Sequence, residues 1–291
     1  MINVYNINYN SASDLRAFLE KEKLGMQKKF GQNFLINPSV RQTLVDSLGA
    51  DPGEEVWEIG PGLGAMTAML LENGSKVKAF EIDTGFIRIL KNIFADNNNF
   101  SLIEGDVLKT WTNYSKTASS YLLGNLPYNI AAALLADFIE KGLVFSRAVV
   151  TVQKEVALRM AAGAGSADYS SFSVLCSSVY KIKPLMTIRP SSFYPQPNVD
   201  SMGVLLEAKL PEAKLPKDIC SAETIPAVFY PLVRALFASR RKTIKNNLAR
   251  FLGHDKAAAL LSGSGLTGNE RAETLELERF LLLAKSLEKM G

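Results

Sequence analysis

From Glu55 to Gln153 the chain alternates between short apolar runs and longer amphipathic ones, and this alternation limits the possible folds more than any other feature. Strand-like runs fall at 55–60, 76–81, 100–104, 120–125 and 147–153, with helical stretches at 65–72, 84–95 and 130–141 between them. The runs around Trp57, Leu122 and Val149 are apolar almost throughout, as strands covered on both faces must be. Strand, helix and strand repeated in this way predict an α/β fold, a mostly parallel sheet with helices on both faces. Beyond Gln153 the pattern predicts helices at 154–162 and 171–180 around a loop at 163–166, then strands at 183–188 and 202–208. Lys209 to Lys217, with Pro211 and Pro216, reads as a linker. After it the pattern is helical, at 225–238, 241–252, 255–261 and 275–288. Before the alternation, 11–24 reads as an amphipathic helix with Ser13 as N-cap and Leu15, Phe18 and Leu19 on one stripe, and Pro38 opens a helix to Leu48. Three parts follow: an N-terminal extension at 1–24, an α/β domain at 25–209 and a small all-helical domain at 210–291.

Composition excludes several classes. With 47% hydrophobic and 21% charged residues, the 291-residue chain is an ordinary globular one, neither disordered nor coiled-coil. No apolar run reaches the ~18 residues of a membrane span, and the N-terminus lacks the basic and apolar regions of a secretory signal. Cys176 and Cys220 make no disulfide framework or metal spacing, which fits a reducing cytoplasm. A single histidine, His254, at a helix start, leaves no material for a His triad or a His-rich metal site. The net charge of +4 is unevenly spread. Residues 1–204 carry 19 basic and 19 acidic side chains, residues 205–291 carry 14 and 10, and 234–250 holds six basic residues and no acid. That asymmetry points to a polyanion as partner of the C-terminal part.

Five local patterns carry chemistry. Glu58-Ile-Gly60-Pro-Gly62-Leu-Gly64 closes the first strand and opens a helix; its G-x-G-x-G spacing lets backbone approach a ligand and differs from the dinucleotide fingerprint. Glu81 ends the next strand, where a carboxylate accepts both ribose hydroxyls of a nucleoside. Gly105-Asp106 follows the third strand, where Asp106 is either a solvated loop residue or the acceptor of an adenine amine. Asn125-Leu126-Pro127-Tyr128 follows the fourth, at the strand ends where open parallel sheets bind ligands. The exocyclic nitrogen of adenine is a poor nucleophile because its lone pair is delocalised into the ring. An Asn oxygen and a backbone carbonyl beside a proline can accept its two N–H bonds and favour the pyramidal, nucleophilic form, while Tyr128 stacks on the ring. Phe193, held by Pro195 and Pro197, is either a second stacking face or a core anchor. Arg240, Arg241, Lys242 and Lys245, interspersed with Ser, Thr and Asn, suit phosphate contact. Asp83, Asp137 and Glu155 read as surface or capping residues.

Taken together and in order, Lys29-Phe-Gly-Gln-Asn-Phe-Leu35, Glu58–Gly64, Glu81, Gly105-Asp106, Asn125–Tyr128, Phe193-x-Pro-x-Pro-x-Val-Asp-Ser201 and Arg240–Thr243 resemble the KsgA family, the adenine-N6 dimethyltransferases of small-subunit ribosomal RNA, over residues 26–290. The resemblance implies a Rossmann-like class I methyltransferase fold and S-adenosylmethionine as cofactor, with no metal. It implies that Asn33, Leu35, Gly60, Glu81, Asp106 and Asn125 hold the cofactor. It gives Asn125, Leu126, Pro127 and Tyr128 the catalytic role and Tyr128 and Phe193 the two faces of a base sandwich. Its substrate would be two adjacent adenosines in the 3′-terminal hairpin of 16S RNA, methylated on an assembling 30S-type particle by a cytoplasmic monomer, with neither membrane nor DNA as partner. The extension at 1–24 goes beyond that family's core, and its apolar stripe calls for a packing role. Competing readings are a large-subunit adenine methyltransferase of the macrolide-resistance type, which shares the fold and an Asn-x-Pro-Tyr, and a non-catalytic assembly factor. A nicotinamide dehydrogenase conflicts with the glycine spacing, and a DNA adenine methyltransferase more often carries Pro-Pro-Tyr.

Overall fold

A computed structural model describes residues 7–25, 31–117, 119–209 and 225–290. Lys29, Phe30, Cys220 and nearly all of the expected linker lie outside the described residues. Seven strands form one sheet: β2 (Glu55–Ile59), β3 (Lys76–Glu81), β4 (Phe100–Glu104), β5 (Tyr121–Asn125), β6 (Arg147–Gln153), β7 (Tyr180–Ile188) and β9 (Ser201–Ala208). Their order is β4-β3-β2-β5-β6-β9-β7. The five strands from β4 to β6 are mutually parallel, and β9 runs antiparallel to both β6 and β7. The expected α/β sheet is therefore present. Chain order reverses between β2 and β5, and such a reversal opens a crevice at the carboxyl ends of the strands. β7 starts three residues earlier than its pattern suggests, because Pro184 breaks the alternation. An edge strand tolerates that proline, with a register shift between Pro184 and Met186.

Two faces of the sheet bury two sets of helices. On one lie α1 (Ala12–Lys21), α2 (Pro38–Leu48), α3 (Ala65–Glu72) and α4 (Thr84–Ile93), whose Leu15, Leu44, Leu70 and Leu90 share a core with Val56, Leu123 and Val149. On the other lie α6 (Ala131–Glu140), α7 (Lys154–Ala161) and α8 (Ser171–Val179), packed on Trp57, Leu122 and Val150. That second core continues without a break into α9 (Phe229–Phe237), α10 (Ile244–Leu252), α11 (His254–Ser262) and α12 (Leu277–Lys289) through Leu232, Leu248, Leu260 and Phe280. Among the described residues no helix is long and apolar enough to cross a membrane.

Local details correct two expectations and add one feature. The N-cap of α1 is Ser11, not Ser13: Ser11 is extended (φ −122°, ψ 121°) and accepts from the Asp14 amide at 3.2 Å. Ser13 is already in the first helical turn, where its hydroxyl meets that of Ser11. α10 begins at Ile244 rather than 241, because Thr243 is extended. The basic residues 240–242 thus form a turn between helices, pinned by buried Asn247, whose Nδ2 donates to Leu236 O at 2.7 Å and Ser239 O at 3.2 Å. Two short strands, β1 (Phe34–Leu35) and β8 (Phe193–Tyr194), pair antiparallel outside the main sheet. Two residues are too few for any periodicity to reveal.

Gly64 N-caps α3 in the left-handed region, φ +86°. A Cβ there would stand 2.8 Å from the Phe94 ring. Gly64→Ala is therefore expected to lower unfolding free energy by about 1–3 kcal/mol, combining overpacking with backbone strain. Urea denaturation of the variant beside the parent chain checks this; an unchanged midpoint would show that the ring yields freely.

Candidate active site at the strand ends

Three strand ends converge on the glycine turn. Gly60, Gly62 and Gly64 all have positive φ (+68°, +59° and +86°), which keeps the turn tight and leaves bare backbone at these three positions as it passes from β2 to α3. The crevice beside it is a cavity of about 310 Å³ lined by Gly60, Glu81, Asp106, Asn125, Asn33 and Leu35, among others. All six residues expected to hold a cofactor thus share one cavity.

Glu81, at the end of β3, is 5% exposed. Its Oε1 accepts from the Ile82 and Asp83 amides at 2.9 Å each and its Oε2 from Gly62 at 3.2 Å. Burial pushes this carboxyl up to about 7, against the pull of those three amides. Asp106 N-caps α5 (Val107–Thr110) by accepting from the Leu108 amide at 3.1 Å, after Gly105 (φ +118°) ends β4. Capping and ligand contact use different lone pairs of a carboxylate, so the cap leaves Asp106, which lines the cavity, with acceptor capacity to spare. Asn125 closes β5. Its Nδ2 donates to Asn33 O at 2.7 Å, which orients the amide and leaves Oδ1 as its free acceptor. Leu126 is anchored by its amide to Thr151 O at 3.1 Å with its side chain in the core, so a role in the site falls to its backbone. Pro127 lines the cavity. Tyr128, between the lining residues Pro127 and Asn129, does not itself line the cavity; it is half-buried, its hydroxyl bonded to that of Ser201, and burial raises its pKa.

Phe193 does not line the cavity. Its ring is 1% exposed in the core, beneath the bridge that pairs it with Leu35. Of the two sequence readings the core anchor describes its position, since a ring enclosed on all sides offers no face to a base. Among the basic residues, Arg240 is engaged with Glu273 (3.2 Å) and Ala167 O (2.9 Å). Arg241, Lys242 and Lys245 are exposed. Asp83 is a cap, accepting from Gly85 and Phe86 at the start of α4 and from Gln32 at 2.8 Å. Asp137 binds the Trp111 indole at 2.8 Å, a partner 26 residues distant. Glu155 pairs with Arg159, and His254 is exposed at the first turn of α11.

Sequence reasoning missed Tyr9 and Arg41, both of which line the cavity. The Tyr9 hydroxyl donates to Leu63 O at 2.9 Å, tying the N-terminal segment to the glycine turn 54 residues away. No local pattern announces such a contact. Arg41 did leave a signal: it interrupts the buried stripe Leu44, Val45 and Leu48 of α2 at a position where an apolar side chain belongs. Glu58, the first residue of the glycine motif, lies buried under the turn, which its sequence position alone does not announce. It is 1% exposed; Thr67 donates to its Oε2 at 2.6 Å, Oε1 has no partner, and burial pushes its carboxyl up to about 7. Among the described residues no cluster of three metal-ligating side chains occurs.

Known proteins resemble this chain over nearly its whole length. The family model of ribosomal RNA adenine dimethylase matches residues 24–289. Ribosomal RNA small subunit methyltransferase A of Treponema denticola is 49% identical over 95% of this chain and 94% of that protein. The protein of the same name in Borreliella burgdorferi strain ZS7 is 38% identical over 97% and 96%. Among solved structures, a dimethyladenosine transferase from Plasmodium falciparum superposes with a TM-score of 0.69 at 25% identity, covering 88% of this chain and 97% of that one. The 23S rRNA methyltransferase ErmE has a TM-score of 0.60 at 21% identity over 87% and 99%, a likeness of fold. With a matching family model over nearly its whole length and near-full-length relatives, the chain belongs to the ribosomal RNA adenine dimethylase family.

Proposed function

We propose that this enzyme transfers methyl groups from S-adenosylmethionine to N6 of two adjacent adenosines in the 3′-terminal hairpin of small-subunit RNA, giving N6,N6-dimethyladenosine. The observation that carries the reading is the convergence of Glu81, Asp106 and Asn125, from the ends of β3, β4 and β5, on one cavity bordered by the glycine turn. These residues fit an adenosyl cofactor: a buried carboxylate acceptor for ribose hydroxyls, a second carboxylate for an adenine amine, and bare backbone at Gly60. When bound, the cofactor supplies an electrophilic methyl whose sulfonium carrier is a good leaving group. The chain therefore has to align the amine rather than remove its proton with a strong base. Asn125 Oδ1 and the Leu126 carbonyl accept the two amine N–H bonds and turn the nitrogen lone pair toward the methyl. Tyr128 stacks on the base, which must leave its helix to reach the cavity. Phe193 would join it only if the residues covering its ring moved aside, so the reading gives the base to Tyr128. The adenosine proton is lost to solvent after transfer.

RNA contact is assigned to the helices after residue 224, in keeping with a division into a catalytic part at 25–209 and an RNA-binding part at 210–291. Arg241, Lys242 and Lys245, free of ion pairs among the described residues, supply phosphate contacts there. Arg241→Glu with Lys242→Glu is expected to weaken binding to small-subunit particles at least tenfold at moderate salt, and to flatten its salt dependence, with cofactor affinity unchanged. A fall in cofactor affinity instead would make the turn structural. The reading takes one chain acting in the cytoplasm on an assembling small subunit.

The deciding experiment offers labelled S-adenosylmethionine with unmethylated small subunits, protein-free large-subunit RNA or duplex DNA, followed by nucleoside analysis. Dimethyladenosine in the small-subunit sample alone is the expected result. Label in large-subunit RNA would replace this reading with the macrolide-resistance type. No label with cofactor binding intact would leave an assembly factor.

A further inference from the structure

Arg41 is 6% exposed, and a buried guanidinium is costly unless an anion or a full set of acceptors meets it. It makes no ion pair among the described residues. Its Nη1 donates to Leu35 O at 2.6 Å and Tyr9 O at 3.3 Å, and its Nη2 to Asn10 Oδ1. A guanidinium has five N–H groups, so two remain, one of them on Nε, which is buried without any acceptor. Burial lowers the proton affinity of this group, and the Tyr9 phenol is what opposes the effect. The result is a cation held rigidly by three neutral oxygens with donors to spare. The side chain lines the same cavity as Asn33, Leu35 and the glycine turn. Two of the three holding oxygens come from the N-terminal segment ahead of α1, whose Tyr9 hydroxyl also grips Leu63 O. That segment therefore fixes the guanidinium as well as covering apolar surface.

We propose that Arg41 is a further cofactor-binding residue, receiving the α-carboxylate of the methionyl tail of S-adenosylmethionine. The inference rests on the cofactor assignment above. A carboxylate is the anion this setting lacks: it takes two N–H bonds from a guanidinium and restores the charge balance of the buried cation. Glu81 and Asp106 account for the ribose and the adenine, both at the β3 and β4 side, and neither can hold an anionic tail. Arg41, through Leu35 O and Tyr9 O, belongs to the part of the wall built from β1, the N-terminal segment and the glycine turn.

The test is calorimetric binding of S-adenosylmethionine and of decarboxylated S-adenosylmethionine, which keeps sulfonium and ammonium but lacks the carboxylate, to the full chain and to Arg41→Met. Arg41→Met is expected to weaken S-adenosylmethionine at least tenfold, the scale of a lost charge-assisted hydrogen bond, and to change the decarboxylated form less than about twofold. Arg41→Lys, keeping the charge without the fork, should fall between. Equal weakening of both ligands would overturn the proposal and leave Arg41 a structural tie, as would no weakening of either. The decarboxylated ligand doubles as a check that the variant still folds around its cavity. If Arg41→Met binds neither, Arg41→Lys is read in its place by the same criterion. A parent chain that binds neither ligand would instead overturn the cofactor assignment itself.

Discussion

Asn125→Ala is expected to abolish measurable dimethylation, with kcat lower by about 10²–10³-fold, the usual loss when one preorganised polar group aimed at the reacting atom is removed. Cofactor affinity should fall by no more than about tenfold, because Glu81, Asp106 and the glycine turn remain. The asymmetry follows from how the side chain is held. Its Nδ2 is committed to Asn33 O at 2.7 Å, so its Oδ1 is presented to the cavity without a search among rotamers. Asn125→Asp retains the shape yet places an anion against that carbonyl, and should lose nearly as much turnover. Single-turnover methyl transfer alongside equilibrium cofactor binding separates the two effects. Undiminished turnover in Asn125→Ala would move the reacting centre elsewhere in the cavity.

The second large effect is on pH. In the proposed assignment the ribose hydroxyls need the ionised form of Glu81, and burial holds that carboxyl at about 7. Below this value binding must first remove a proton, so cofactor affinity should rise about tenfold between pH 6 and pH 8 and level off above. Glu81→Gln should bind weakly at every pH and lose the dependence. Glu58 is a second buried carboxyl, pushed up by burial and by the charge of Glu81, whereas the neighbour whose charge raises Glu81 is Asp83, so Asp83→Asn should move the midpoint to lower pH. Stability without ligand runs the opposite way. Glu58 and Glu81 both sit above their ordinary 4.5 in the folded chain, so the folded state binds their protons more tightly. Stability should therefore decline as pH rises from about 4.5 to about 7. A pH-independent cofactor affinity would show that Glu81 is already ionised throughout this range.

Much of this was legible in the linear sequence, and for a consistent reason. The bounds of β3, β4, β6, α2 and α3 follow from short strand-like runs, from burial that recurs every turn in the two helices, and from Gly and Pro, whose backbone limits are intrinsic. Glu81, Asp106 and Asn125 were also legible, since a parallel sheet sets all its carboxyl ends on one edge, so residues at the ends of successive strands meet whatever lies between them. A local failure was the cap of α1, where Ser11 rather than Ser13 holds the extended backbone and takes the Asp14 amide. Where the reading failed elsewhere, the deciding partner was remote. The basic residues at 240–242 fell into a turn, and Arg240 was taken up by Glu273, 33 residues on.

What the sequence determined by itself is therefore the sheet, its parallel core and the side chains at its strand ends, because each is written in local pattern. Only the tertiary structure decided that Phe193 is enclosed by pairing with Leu35, that Tyr9 reaches the glycine turn, and that Arg41 is buried at the cavity wall without an anion. Those outcomes depend on contacts between segments far apart in the chain, and hydrophobic period carries no record of which distant segment will cover which.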